Sequence, residues 1–163
     1  TGCSININRS PVHCRIQKIT AVKFRRYGYL IDYPKKHLKG TTRNLWRIVA
    51  TEPKDFGWRI AYLIVRDKRI RRLEQHPYSM ESFEPVKGKS LLYVASRKDP
   101  HAIECFALDR PIILKKNIWH GIVTVSLETE VKLTENAKVK CIYWNLGGTL
   151  ILTPGVDPPP GWA

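Results

Sequence analysis

The stretches KSLLYVAS at residues 89–96 and AIECFAL at 102–108 decide the fold class of this chain. Both are short and rich in apolar, β-branched and aromatic residues, and the segment between them carries a proline, which interrupts strands. Several such runs with little room for crossover helices predict an all-β fold, an antiparallel β-barrel or jelly roll. The other runs of this kind are WRIAYLIVR at 58–66, GIVTVSL at 121–127 and KVKCIYW at 138–144.

A short N-terminal helix is predicted just before these strands. Thr20 is a good N-cap for the following AVKFRRY, and Gly28 stands where a helix end favours a left-handed residue. The chain of 163 residues fits one domain. We predict an N-terminal extension over residues 1–15 and a single barrel domain over 16–163, whose proline-rich tail TPGVDPPPGWA lies on the surface as an extended strap.

The formal net charge of +14 favours an anionic partner, either a small acidic substrate, nucleic acid or anionic lipid. The Lys and Arg residues come in scattered pairs rather than on one element, which favours a solvated basic surface, and we do not expect nucleic acid to be the partner. No apolar run is long enough to span a bilayer. The four cysteines form no CxxC pair, so we expect reduced thiols and a cytoplasmic protein.

The segment RLEQHPYSMESFEPVKG at 72–88 carries the candidate chemistry. Glu74 and His76 are two residues apart, so on a strand they project from the same face, and Glu81 follows after four residues. His120 lies in a second short run, KNIWHG at 116–121. Two imidazoles with one or two carboxylates suit a divalent transition metal, namely nickel, manganese, iron or zinc, and no organic cofactor is expected. The alternative is that both histidines are interior residues hydrogen-bonded to carboxylates.

The spacing of Glu74, His76, Glu81 and Gly88 resembles the first cupin motif, with Glu74 in place of its first histidine, and His120 resembles the histidine of the second motif. The stretch LEQHPYSMESFEPVKGKSLLYVA is further similar to the Glu-x-His-Pro segment of the ureidoglycolate lyase family. FRRYGYLID and KNIWHG are similar to that family's Phe-x-x-Tyr-Gly and Asn-x-Trp-His segments. The resemblance runs from about residue 18 to about residue 136.

This resemblance implies a cupin-type β-barrel, commonly a homodimer, that splits ureidoglycolate into glyoxylate and urea in allantoin (purine) catabolism, often with a divalent metal. A base would take the proton of the carbinol hydroxyl, and an acid would protonate the departing urea nitrogen. His76, Glu81 and His120 are then the candidate catalytic residues. The candidate metal ligands are Glu74, His76 and His120.

Two cations are candidates for binding the small anionic substrate. Arg66, at the end of the run 58–66, matches an arginine of the family and has the planar fork that binds a carboxylate bidentately. Lys87, next to Gly88, could reach an anion at the barrel mouth, although a solvated turn lysine is the alternative interpretation.

The chain also departs from the family pattern. Glu81 stands where the family often has Gln, and Gly121 stands where it has the second histidine of Trp-His-His. A barrel keeps its shape when its lining changes, so the same site could serve a cupin of another specificity, either an isomerase or epimerase or an anion-binding module.

Overall fold

The computed structural model describes residues 3–4, 12–40 and 45–151. The predicted tail strap lies outside the described residues. A four-residue helix, α1 (Ala21–Phe24), and one 3₁₀ turn (Lys35–His37) accompany the strands. The strands are β1 (Cys3–Ser4), β2 (Val12–His13), β3 (Ile16–Lys18), β4 (Gly28–Leu30), β5 (Trp58–Val65), β6 (Ile70–Gln75), β7 (Glu81–Lys87), β8 (Ser90–Ala95), β9 (Ala102–Ala107), β10 (Ile112–Leu114), β11 (Trp119–Thr124), β12 (Thr129–Asn136) and β13 (Ile142–Ile151).

These strands form two sheets. The larger has the order β1-β9-β8-β11-β6-β13-β2, with β3 also paired to β9, and the smaller has the order β4-β10-β7-β12-β5. All pairs are antiparallel except β3 with β9 and β13 with β2. The prediction of an all-β, mainly antiparallel fold with a short N-terminal helix is confirmed. Strands β1 and β2 pair with β9 and β13, while the predicted domain boundary at residue 15 stays a prediction.

The apolar side chains of the larger sheet pack on both of its faces. Strand β8 shows this most clearly, because all six of its residues are buried. Leu92 and Val94 join the core between the two sheets, whereas Leu91 and Tyr93 join a second cluster on the opposite face with Cys14. A strand buried on both faces is a continuous apolar run, which is why SLLYVA was recognisable in the sequence.

Helix α1 begins as predicted and ends differently. The Thr20 side chain accepts a hydrogen bond from the backbone N–H of Lys23 (3.2 Å), so the predicted N-cap is present. Gly28 was predicted as a left-handed helix end, and this is wrong: it is the first residue of β4, and its φ is not positive. Glycine is needed there because a Cβ would overlap the backbone oxygen of Ile113 on the neighbouring strand. None of the described helices is long and apolar enough to cross a membrane.

Strand β5 carries apolar residues on its exposed face. Trp58, Ile60, Tyr62 and Ile64 alternate along it, and each is at least 39% exposed. Within the described part of the chain, β5 ends the smaller sheet. An edge strand with an apolar outer face is the kind of surface that associates with another chain.

Candidate functional site

Side chains from β6, β7 and β11 meet on the inner face of the larger sheet. Strand β6 carries Glu74, and His76 follows directly after its end. Glu81 is the first residue of β7, and His120 is the second residue of β11. His120 and Glu74 are cross-strand partners, so the antiparallel pairing of β11 with β6 sets them side by side. The predicted convergence of these four residues is therefore present.

The carboxylate of Glu81 lies between the two imidazole rings. Its Oε2 is 3.2 Å from Nε2 of His76 and 3.0 Å from Nε2 of His120. All three side chains are at most 6% exposed, and the two ring centroids are 5.1 Å apart. Oε1 of Glu74 lies farther out, 3.7 Å from Nε2 of His120, and its side chain is 37% exposed. The group thus has a buried centre and one carboxylate at its edge.

The second nitrogen of each ring determines what faces Glu81. Nδ1 of His120 lies 2.9 Å from the backbone oxygen of Ile118, and Nδ1 of His76 lies 3.4 Å from that of Lys140. A carbonyl can only accept a hydrogen bond, so each Nδ1 carries the hydrogen and each Nε2 of a neutral ring presents a lone pair. Neither Nε2 of His120 nor Oε2 of Glu81 has an aligned hydrogen-bond partner among the described residues. Lone pairs that meet in this way need a positive charge between them.

Protons can supply that charge. Burial lowers the pKa of both histidines, but the contact with Glu81 and its negative charge outweigh this effect and raise the pKa of His76 and of His120 above 6.5. Burial raises the pKa of Glu81, but the contacts with His120 and His76 dominate and bring it to about 2. The pairing therefore favours an ionised carboxylate between protonated rings.

A divalent transition metal fits the same three residues. One ligand atom from each of His76, Glu81 and His120 lies within 4.8 Å of the others. Donors bound to one metal at about 2.1 Å stand about 3 Å apart when they occupy adjacent positions, which matches the contacts of 3.0 and 3.2 Å. The donor set is one that transition metals accept. Glu81 completes this buried group, and the predicted ligand set of Glu74, His76 and His120 stays a prediction.

Two turns hold the histidines in place. Asn117, just before β11, has a φ of 63°, and its backbone N–H donates to the backbone oxygen of His76 (3.0 Å). Asn is one of the few non-glycine residues that adopt this conformation readily. The loop after His76 is tied to the end of β12, because the side-chain amide of Asn136 donates to the backbone oxygen of Tyr78 and its backbone N–H donates to Oγ of Ser79.

A cleft of about 910 Å³ opens over the edge of this cluster. Glu74 and His120 reach its lining, and Tyr143 of β13 flanks them as the cross-strand neighbour of Glu74. The β5–β6 turn and β6 add four basic residues to the lining, Lys68, Arg69, Arg71 and Arg72, beside Asp67 and several apolar residues. The cleft therefore combines a positively charged wall with a carboxylate and an imidazole, an arrangement that suits a small anion.

The two predicted substrate-binding cations do not join the cluster. Arg66 is 75% exposed and forms an ion pair of 3.1 Å with Glu128. Lys87 is 72% exposed and lies 3.7 Å from Glu130. Lys87 is also six residues from Glu81 along β7, which corresponds to about 20 Å of strand. Their contacts with a substrate stay predictions.

The sequence analysis did not identify Cys141. One ligand atom from each of Glu74, His76 and Cys141 lies within 4.8 Å of the others, so the exposed thiol borders the site. Cys141 precedes β13, and only the pairing of β13 with β6 brings it there. A lone cysteine without CxxC spacing gave no signal for this position.

An ion pair beside Glu81 was missed as well. Glu135 of β12 is the cross-strand neighbour of Glu81 on one side and of Arg59 on the other. The Arg59 guanidinium is 2.7 Å from Oε1 of Glu135, which is buried. Arg59 and Glu135 both lie on the inner faces of their strands, β5 and β12. The period-two alternation of these two strands could have indicated this placement.

Comparisons with known proteins agree with the resemblance. Four curated proteins named ureidoglycolate lyase, three from Rhizobium and one from Agrobacterium fabrum, are similar to this chain. The protein of Rhizobium leguminosarum is 25% identical over 125 residues, an alignment that covers 68% of this chain and 75% of the relative. No family model matches the chain.

Solved structures give weaker similarities. Procruciferin, an 11S globulin from Brassica napus, matches with a TM-score of 0.44 and 7% sequence identity. The alignment covers 52% of this chain and 22% of the procruciferin chain. A mutant of the oxalate decarboxylase of Bacillus subtilis matches with a TM-score of 0.42 and 20% sequence identity. The alignment covers 55% of this chain and 24% of the decarboxylase chain.

Proposed function

We propose that this chain is a small-molecule lyase that cleaves ureidoglycolate into glyoxylate and urea. The observation that carries the proposal is the convergence of Glu74, His76, Glu81 and His120 beside a cleft with basic residues, whose lining Glu74 and His120 reach. The similarity to curated ureidoglycolate lyases supports the substrate. The proposal includes a cytoplasmic location and a place in allantoin catabolism, as the resemblance implies.

The buried residues hold the positive charge that the reaction requires. His76, Glu81 and His120 would hold a divalent metal such as nickel, manganese, iron or zinc, which would act as a Lewis acid on the carbinol oxygen. The hydrogen bonds from both Nδ1 atoms to backbone carbonyls fix the rings, so that both Nε2 atoms keep facing one point.

Glu74 moves the proton. Its carboxylate is partly exposed in the cleft and lies beside His120, so it can reach the hydroxyl of a bound carbinol. Glu74 accepts that proton, the O–H electrons form the aldehyde carbonyl, and the C–N bond breaks towards the urea nitrogen. The same carboxyl group then returns the proton to this nitrogen, so one proton has passed from oxygen to nitrogen and the atoms balance.

We also propose that two copies of the chain associate through the outer face of β5. The exposed side chains of Trp58, Ile60, Tyr62 and Ile64 support this partner, because two copies related by a two-fold axis would bury the same apolar strand from both sides.

The test of the reaction is glyoxylate release from ureidoglycolate by the purified protein. The protein is stripped with a chelator and reloaded separately with nickel, manganese, iron or zinc. We expect activity with at least one metal, and a loss of about 100-fold or more in kcat for Glu74→Gln, since general base catalysis is worth at least about 100-fold. Arg25→Gln, an exposed position after α1, is the control.

Elemental analysis tests the metal ligands independently of activity. A stoichiometric transition metal that is lost in His76→Ala and in His120→Ala, and retained in Arg25→Gln, is the expected result. Absence of glyoxylate release under every metal condition would rule out the proposed substrate.

A further inference from the structure

One arginine of the cleft lies next to the reacting groups. Arg72 precedes Glu74 by two residues on β6, so both project from the same face of the strand. Arg72, Glu74 and His120 all line the same cleft. Neither composition nor the family resemblance singled out this arginine.

The guanidinium of Arg72 is stacked on an aromatic ring. Its Cζ lies 4.3 Å from the centroid of the Tyr143 ring, and Tyr143 is the cross-strand partner of Glu74. Stacking of this kind uses the face of the guanidinium and leaves its N–H groups, which lie in the plane, available to an acceptor. Among the described residues, the side chain of Arg72 takes part in no ion pair and no hydrogen bond, so its guanidinium donors have no protein partner there.

Two other arginines that could bind a carboxylate are already engaged. Arg59 is paired with Glu135 at 2.7 Å, and Arg66 with Glu128 at 3.1 Å. A cation that already holds a carboxylate must release it before it binds another, whereas Arg72 has only to exchange water.

We infer that Arg72, whose guanidinium lies over the ring of Tyr143, is the residue that binds the carboxylate of the substrate and thereby selects 2-hydroxy acid derivatives over neutral carbinols. The inference rests on the proposed function for the identity of the substrate, but not for the chemistry of recognition. In this role Arg72 binds the carboxylate, which does not react, so the roles of Glu74 and of the two histidines are unchanged.

The spacing along β6 fits this role. Residues two apart on a strand are separated by about 6.6 Å, and a charge-assisted N···O contact takes up about 2.8 Å. The carbinol carbon is bonded directly to the carboxylate carbon in such a substrate. A carboxylate held by Arg72 therefore leaves the hydroxyl over Glu74 and His120, where the proton must be removed.

Direct binding of glyoxylate tests the inference without relying on turnover. Isothermal titration calorimetry on the protein as purified would compare Arg72→Gln and Arg72→Lys with the wild type. We expect affinity for glyoxylate to fall about 10- to 100-fold in Arg72→Gln, the range for losing a charge-assisted bond. Arg72→Lys should be intermediate because lysine cannot bind bidentately. Tyr143→Leu should weaken binding more than Tyr143→Phe, which keeps the ring.

Two control variants separate recognition from net charge. Arg25→Gln makes the same change in charge far from the cleft lining and should bind like the wild type. Arg66→Gln tests the arginine that the family resemblance favoured. Equal affinity in Arg72→Gln and Arg25→Gln, a larger loss in Arg66→Gln, or no glyoxylate binding by the wild type would each overturn the inference.

The outcome is distinguishable from that of the proposed reaction. If glyoxylate binding depends on Arg72 but ureidoglycolate releases no glyoxylate, the carboxylate site is supported and ureidoglycolate is refuted as the substrate. If the protein cleaves ureidoglycolate and Arg72→Gln has the KM of the wild type, the reaction is supported and the role of Arg72 in binding the carboxylate is refuted.

Discussion

Replacing Glu81 by glutamine should change the stability of the metal-free protein in a direction that depends on pH. The substitution removes the carboxylate that contacts both imidazoles and keeps the volume of the side chain. The ionised pairing is fully formed between pH 4.5 and 6.5. Glu81 has its pKa lowered to about 2, so its full contribution to folding stability is present at pH values above its ordinary pKa of 4.5. His76 and His120 have raised pKa values, so their full contribution is present at pH values below 6.5.

The size of the effect follows from the contacts. Breaking a buried ion pair by removing one partner costs about 3–5 kcal/mol, and a hydrogen bond to a charged group is worth about 1.5–3 kcal/mol. At pH 5.5 we therefore expect Glu81→Gln to lower the free energy of unfolding by about 3 kcal/mol. The stabilisation by the histidines is lost as the pH rises through their raised folded-state pKa values. Above those folded-state pKa values the wild-type carboxylate faces two lone pairs, whereas the amide of glutamine can donate to one, so the cost of the substitution should be smaller at pH 9.5 than at pH 5.5.

The assay is urea unfolding of chelator-treated protein at pH 5.5 and pH 9.5. Glu74→Gln is the matched control, because Glu74 is 37% exposed and lies 3.7 Å from His120. Its cost should stay below about 1 kcal/mol at both pH values. A cost of Glu81→Gln that is equal at the two pH values, or larger at pH 9.5, would refute the assigned charges of the buried group.

Four other outcomes are expected. Asn117→Ala should cost about 1 kcal/mol in thermal unfolding and Asn117→Gly much less, because only alanine is strained at a φ of 63°. Gly28→Ala should cost at least about 2 kcal/mol by the same measurement, since a Cβ would overlap the backbone of Ile113; a neutral effect would contradict the β4–β10 pairing. Ile60→Glu should shift the mass measured by light scattering from dimer to monomer, and a dimer that persists would exclude the outer face of β5. Unrelated DNA should not be retained at 0.15 M salt, and tight binding with a steep salt dependence would instead make the basic surface a nucleic-acid site.

Several strands were recognisable from the sequence because their composition is locally distinctive. Strands β5, β8 and β9 lie within the predicted runs 58–66, 89–96 and 102–108. Strands β7 and β12 were not predicted. Strand β7 contains Pro85, which lies opposite a shift in register, and only Val131 and Leu133 of β12 are apolar, so neither strand has strong strand composition.

Local sequence patterns were enough to identify the residues that could form a site. Period-two alternation placed Glu74 and His76 on one face, and the spacing to Glu81 and Gly88 indicated a turn, which Gly88 makes with a φ of 78°. These are local properties, because they depend only on residues a few positions apart along one strand.

Which of these side chains meet depends on the pairing of strands that are far apart in the sequence. Strand β6 lies between β11 and β13, and this order brings His120, Cys141 and Tyr143 to Glu74 and Arg72. The register of one strand against another is set by backbone hydrogen bonds and by core packing between distant segments. No local pattern records these contacts, so the carboxylate between two rings and the stacked arginine became visible only when the sheets were assembled.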